Sequence, residues 1–377
     1  MTRIKDGLAE LVRIDSVSSR SNVEIVECLE KRCGALGLVT RRFPYFDENG
    51  VEKINLIALT KATDEIELAL VGHTDTVPYD PNWTEATNLT ERDGKLYGRG
   101  SCDTKGFIAA ALTAVETIEL SKLTKPLALI FTADEEIGLR GAKKLAQAKP
   151  LRVRYSIVGE PTSLRPIRAG KGYSLAEVIV KGREAHSAYP ALGASAVFRA
   201  ARLISRLESI AEQLKHDQHS AFDPPYTTLN IGLIHGGSAK NVLAGECRFT
   251  LEWRPIPTQP SDRVLNLFTA AIAAETEADP GFVCEVDANR QDTGFETAPD
   301  SPLIKLLEKA TGKTSGTVAF GTEAAQMKTL GSEAVVIGPG DIREAHRTGE
   351  FVPIEELERC AEVLRQSIQQ ICQGNRM

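Results

Sequence analysis

The chain has 377 residues, 42% of them hydrophobic and 25% charged, which is more length than one ordinary core uses and calls for two domains. A formal net charge of −6 disfavours nucleic acid or an anionic membrane as partner, and no apolar stretch approaches the roughly 20 residues of a membrane span. The N-terminus has no apolar signal core, and seven cysteines without CxxC spacing fit neither a zinc ribbon nor a secreted disulfide framework, so a cytoplasmic protein is expected.

Helical apolar spacing covers 3–13 and 22–36. Apolar runs then recur at 54–59, 66–72, 127–132, 153–158 and 334–338, with helical patterns at 105–119 and 139–148. Near-continuous apolar strands alternating with helices predict an α/β fold with a mostly parallel sheet covered on both faces. The middle of the chain reads differently. Residues 173–181 alternate as a half-exposed strand does, a helical pattern follows at 194–216, and alternation returns at 227–235 and 246–254. A helix at 261–278 and a strand near 282–287 complete a ferredoxin-like βαββαβ order. The sheet-type pattern resumes near 302 and ends in a helix at 354–372. The expected organisation is a discontinuous catalytic domain, 1–167 and 291–377, with an inserted lid at 168–290. Segments 216–225 and 255–261 read as loops.

Three apolar runs end in imidazole or acidic side chains: Leu68–Gly72 before His73-Thr-Asp75, Leu127–Thr132 before Ala-Asp134-Glu135-Glu136, and Tyr155–Gly159 before Glu160. Asp103 lies in the glycine-rich segment Gly98-Arg-Gly-Ser-Cys-Asp-Thr-Lys-Gly106, and His346 follows the late apolar run. Each has a bland alternative: a solvated acidic loop, a hydrogen-bonded surface pair, or a helix N-cap at Asp103. If the strands are parallel, however, all gather on one edge of the sheet, where open α/β sheets build their sites. Mixed imidazole and carboxylate donors suit zinc or a similar divalent ion. Five ligands exceed one catalytic zinc and fit two ions sharing a carboxylate.

Gly72-His-Thr-Asp-Thr-Val-Pro78, Gly98–Gly106, Asp134-Glu-Glu136 and Gly159-Glu-Pro-Thr162 resemble the dinuclear-zinc deacylases and exopeptidases, in order and over nearly the whole chain. The resemblance implies two Zn2+ (or Co2+) ions per subunit, one held by His73 and Glu160, the other by Glu136 and His346, with Asp103 bridging. It implies that Asp75 orients the His73 ring and that Glu135, left unligated, is the general base. It also implies a homodimer formed through the lid, and that His186 of the lid stabilises the oxyanion, often across the dimer.

For an N-acyl amino acid substrate, the α-carboxylate needs a cation, and planar bidentate pairing favours arginine. Arg254 matches the family's lid arginine; Asn241 and Lys171 are further candidates. Val318–Ala325 and Gly338–His346 are most similar to the members that deacetylate N2-acetyl-L-ornithine in arginine biosynthesis. Glu323 would then suit the ornithine ammonium, while Thr322 is either a ligand contact or a helix cap. A broader N-acyl-amino-acid deacylase, a succinyl-diaminopimelate desuccinylase and a dipeptidase share the same metal pattern. A non-catalytic metal-stabilised binding protein stays open as a different class. A nucleotide-binding reading lacks its phosphate loop, since Gly98-Arg-Gly100 fits neither GxGxxG nor GxxxxGK[ST].

Overall fold

The computed structural model of the protein describes residues 3–374; the ends of the expected catalytic domain, positions 1–2 and 375–377, lie outside the described residues. The chain forms two compact units, Met1–Arg168 with Glu296–Gly316 and Thr322–Met377, and Ala169–Phe295 with Thr317–Gly321.

The first unit is built on a mixed sheet. Its order is Val39–Phe46, Glu52–Leu59, Leu127–Thr132, Glu65–His73, Arg152–Val158, Glu333–Val336. The four strands from Leu127–Thr132 to Glu333–Val336 are parallel, with His73 opposite Thr132 and Val158 opposite both Val71 and Val336. Their carboxyl ends therefore reach the same edge in step. Leu68, Leu70, Leu127, Leu129 and Ile157 are all buried, as strands covered on both faces require. Glu52–Leu59 runs antiparallel to Leu127–Thr132, so its amino end, not its carboxyl end, lies at that edge.

Helix Lys105–Glu116 is alanine-rich and buried over most of its length, and it packs with Arg3–Arg13 and Ile354–Cys372 into the main core. Its close approach depends on Gly159: a Cβ there would lie 2.2 Å from the Phe107 ring. That glycine lets the helix press against the strand end that carries Glu160.

The second unit is a four-stranded antiparallel sheet in the order Thr228–Gly236, Glu246–Arg254, Tyr173–Lys181, Val283–Asp292. Val178, Val180, Phe249, Leu251 and Trp253 alternate into a core with Leu203 and Leu207 of helix Ala196–Leu214 and Phe268 of helix Arg263–Ala278. The chain order is βαββαβ. Thr228–Gly236 is an edge strand, exposed over most of its length. No described helix is long and apolar enough to cross a membrane.

Candidate metal centre

His73 closes strand Glu65–His73 and is buried. Its Nδ1 lies 3.0 Å from the Asp75 carbonyl oxygen and 3.6 Å from the Asp75 carboxylate. A proton on Nδ1 donated to that carbonyl leaves the Nε2 lone pair facing the site. Nε2 is 3.0 Å from Asp103 Oδ1. The other Asp103 oxygen, Oδ2, is 3.2 Å from His346 Nε2, which is also 3.0 Å from Glu136 Oε2. Asp103 thus spans the two imidazoles with one oxygen to each. Ligand atoms of His73, Asp103 and Glu160 lie within 4.8 Å of one another, as do those of Asp103, Glu136 and His346, and those of His73, Glu135 and Glu136.

Burial opposes charge on the His73 ring, but Asp103 and Asp75 outweigh it and hold the pKa well above its ordinary value. Asp103 and Glu136 push His346 up to about 10. Burial would raise Asp103, yet the two imidazoles keep it below the usual carboxylate range. Burial raises Glu135 and Glu160 well above that range, and neighbouring carboxylates add to the rise. Glu136 is raised by burial, less so because His346 donates to it. Burial likewise pushes Glu323 up to about 7. Asp75, Asp103, Glu135, Glu136, Glu160 and Glu323 outnumber the imidazoles facing them, and such a group ionises fully only beside added positive charge. The donor set fits divalent ions of the zinc type, and the two ligand trios that share Asp103 fit a pair of them.

The carboxylate of Asp75 faces the acidic loop more than the imidazole. It accepts the main-chain N–H of Glu135 at 3.0 Å and of Glu136 at 3.2 Å, and the hydroxyl of Ser18 at 2.7 Å. The His73 ring N–H meets the Asp75 carbonyl, which the short His-Thr-Asp turn folds back to it, with the Asp75 carboxylate 3.6 Å away and still holding the ring's pKa up. The Glu135 side chain makes no hydrogen bond among the described residues. Thr322 is buried, and its hydroxyl accepts the N–H of Ala324 at the start of helix Ala324–Thr329. The next residue, Glu323, is 1% exposed, and a hydrogen bond with the Thr132 side chain only partly offsets the burial of its carboxyl.

In the second unit, His186 is exposed and forms an isolated bridge with Val242, while Ser187 N–H donates to the Asn241 carbonyl at 3.0 Å. Arg254 pairs with Glu252 at 2.8 Å, reaches the Ala319 carbonyl at 3.4 Å and lies over the Tyr173 ring at 4.4 Å. Lys171 is buried, and its ammonium donates to the carbonyls of Pro224 at 2.8 Å and Tyr226 at 2.6 Å. Burial, with Arg254 nearby, pushes its pKa down to about 8. Its charge is spent on holding a loop of its own unit.

Sequence reasoning missed the residues that hold the ligand loops. Glu350 is fully buried, accepts the N–H groups of Cys102 at 2.9 Å and Asp103 at 3.0 Å, and pairs with Arg99 at 2.6 Å. Lys53 is paired with Asp134 at 2.7 Å, both fully buried. The only available signals were a glutamate shortly after His346 and a lysine opening an apolar run.

The model of peptidase family M20/M25/M40 matches residues 69–370. An acetylornithine deacetylase of Myxococcus xanthus is 51% identical over 374 residues, 98% of each chain. One of Klebsiella pneumoniae is 38% identical over 323 residues, 85% of this chain and 84% of that protein. Among solved structures, a tripeptidase of Staphylococcus aureus superposes with a TM-score of 0.78 at 25% identity, covering 98% of each chain. A Bacillus subtilis protein described as a dinuclear metal binding peptidase has a TM-score of 0.70 at 14% identity, covers 98% of each chain, and shares the fold.

Proposed function

The chain belongs to peptidase family M20/M25/M40, and from that membership we propose that it hydrolyses N2-acetyl-L-ornithine to L-ornithine and acetate at a two-metal centre. The observation that carries this reading is Asp103, with one carboxylate oxygen 3.0 Å from the first histidine and the other 3.2 Å from the second. His73 and Glu160 are assigned to one ion, Glu136 and His346 to the other, and Asp103 to both, with Zn2+ or Co2+ as the candidates. Bound there, such ions lower the pKa of a water and polarise the amide carbonyl.

The remaining roles belong to side chains. Glu135, whose side chain makes no hydrogen bond among the described residues, takes the proton of the attacking water and passes it to the departing amine. Asp75 positions Glu135 and Glu136 through their main-chain N–H groups. His186 donates to the oxyanion of the tetrahedral intermediate. Arg254 pairs with the substrate α-carboxylate, with Asn241 as a further polar group of that unit, while Lys171 is left to the loop carbonyls it holds. The buried Glu323 takes the ornithine ammonium, and Thr322, whose hydroxyl accepts the Ala324 N–H, holds the turn that carries it. The second unit supplies a homodimer contact. Its edge strand exposes Leu233 (60%) and Ile234 (50%), and Phe198 on its first helix is 71% exposed.

The test is a comparison of kcat/KM on N2-acetyl-L-ornithine, other acetyl amino acids, N-succinyl-diaminopimelate and dipeptides. Acetylornithine should lead; a higher value for the succinyl substrate or a dipeptide would sink the substrate assignment. Glu135→Ala should keep both metals and lose nearly all turnover, and an active, fully metallated variant would end the base assignment.

A further inference from the structure

We propose that Lys53 and Ser18 are positioning residues that hold the Asp134–Glu136 loop in its working geometry, a role that rests on the assignments of Glu135 and Glu136 given above. The topology sets this up. Because Glu52–Leu59 runs antiparallel to Leu127–Thr132, with Leu56 opposite Phe131, its amino end passes beside the residues that follow Thr132. Lys53 thereby meets Asp134. The Lys53 ammonium donates to Asp134 Oδ1 at 2.7 Å, to the Arg20 carbonyl at 2.8 Å and to the Ser18 carbonyl at 2.5 Å. Three acceptors saturate an ammonium. The second oxygen of Asp134 accepts the Tyr45 hydroxyl at 2.9 Å. Asp134 itself sits at φ 55°, a left-handed conformation that a non-glycine residue keeps only when its surroundings enforce it.

Ser18 closes the circuit. Its hydroxyl donates to Asp75 Oδ2 at 2.7 Å, and Asp75 accepts the main-chain N–H groups of Glu135 and Glu136. A ring of contacts therefore runs from Lys53 to Asp134, along the main chain to Glu135 and Glu136, across to Asp75, on to Ser18 and back to Lys53. The loop is gripped by an ion pair ahead of the two glutamates and by a carboxylate at their own N–H groups. Without the ring, consecutive acids facing further carboxylates would repel one another. Lys53 answers that repulsion without competing for ligands, because its ammonium is used up away from the metal-facing oxygens.

A purely structural pair would affect folding alone, so the test separates the two roles. Lys53→Met combined with Asp134→Asn removes both buried charges together and keeps an acceptor for Tyr45; Ser18→Ala cuts the opposite side of the ring. Calorimetric titration of metal-free protein with zinc, with kcat and KM on acetylornithine at saturating zinc, gives the readout. Expected for the double variant is a roughly tenfold loss of affinity at one of the two zinc steps, the one that uses Glu136. The other step stays at its wild-type value. Its kcat should fall about a hundredfold, as misplacement of a reacting group by an ångström does, with KM little changed. Ser18→Ala should show the same pattern at smaller amplitude. Wild-type kcat and wild-type zinc affinities in folded variants would overturn the proposal. If the double variant does not fold, the same result for Ser18→Ala alone overturns it. A Glu135→Gln control at the wild-type rate would overturn the base assignment, while the zinc titration still decides the ring.

Discussion

Glu350→Gln isolates the buried charge that holds the Asp103 loop. Glu350 is fully buried, with Oε2 2.6 Å from Arg99 and Oε1 accepting the N–H groups of Cys102 and Asp103. Arg99 is 4% exposed, and among the described residues its guanidinium has only one other hydrogen bond, to the Pro78 carbonyl at 3.3 Å. Glutamine keeps the shape and an oxygen for the two N–H groups, but it turns an amide NH2 toward the guanidinium, donor against donor. Leaving one member of a buried pair uncompensated costs about 3–5 kcal/mol. Loss of charge assistance in the two N–H contacts adds roughly 1 kcal/mol. With about 2–4 °C per kcal/mol for a domain of this size class, Tm should fall by about 8–24 °C in scanning calorimetry. Arg99→Met should cost a similar amount for the mirror reason, and the double variant should recover much of both losses, since no unpaired charge remains. A single-variant loss below about 1 kcal/mol, or a double variant that loses the sum of the two, would refute the reasoning.

Glu323→Gln should lower kcat/KM for acetylornithine by roughly ten- to a hundredfold, the worth of a charged hydrogen bond. It should leave acetyl amino acids without a side-chain ammonium nearly unaffected; equal losses on both would remove Glu323 from specificity. Lys105 is fully buried, and burial pushes its pKa down from 10.5 to about 8. Between those values the unfolded chain holds the extra proton, so stability rises with pH across that window, and the penalty is complete below about 8. Relative to Lys105→Met, the metal-free wild type should therefore gain about 3 kcal/mol between pH 8 and 10.5, measured by paired thermal melts; a pH-independent difference would contradict it. The homodimer proposed through this edge strand predicts that the wild type sediments as a dimer and Leu233→Lys as a monomer; a monomeric wild type or an unchanged dimer in the variant would contradict it.

The strands that form the site were legible because burial on both faces writes them as apolar runs. Residues 66–72, 127–132 and 153–158 appear within Glu65–His73, Leu127–Thr132 and Arg152–Val158. The second-unit strands 173–181 and 246–254 were legible for the opposite reason, since one face is wet and the side chains alternate. Val39–Phe46 was not visible: it is a marginal strand, half exposed throughout, and it contains Pro44. Strand direction is not written in composition, so the reversed course of Glu52–Leu59 stayed hidden, and with it the meeting of Lys53 and Asp134. His73, Asp103, Glu136, Glu160 and His346 come together because strand ends and the loops beside them put chemistry on one edge. Glu350 and Lys53 could not be picked out, because a buried charge and a solvated one look alike until the partner across the fold is known.

The most direct test of the two-metal centre is a titration of chelator-stripped protein with zinc or cobalt while acetylornithine hydrolysis is followed. Activity should be absent at the start and rise to a plateau at two equivalents per chain. Full turnover without metal, or a plateau at one equivalent with the second site empty, would contradict the sharing of Asp103 on which the mechanism stands.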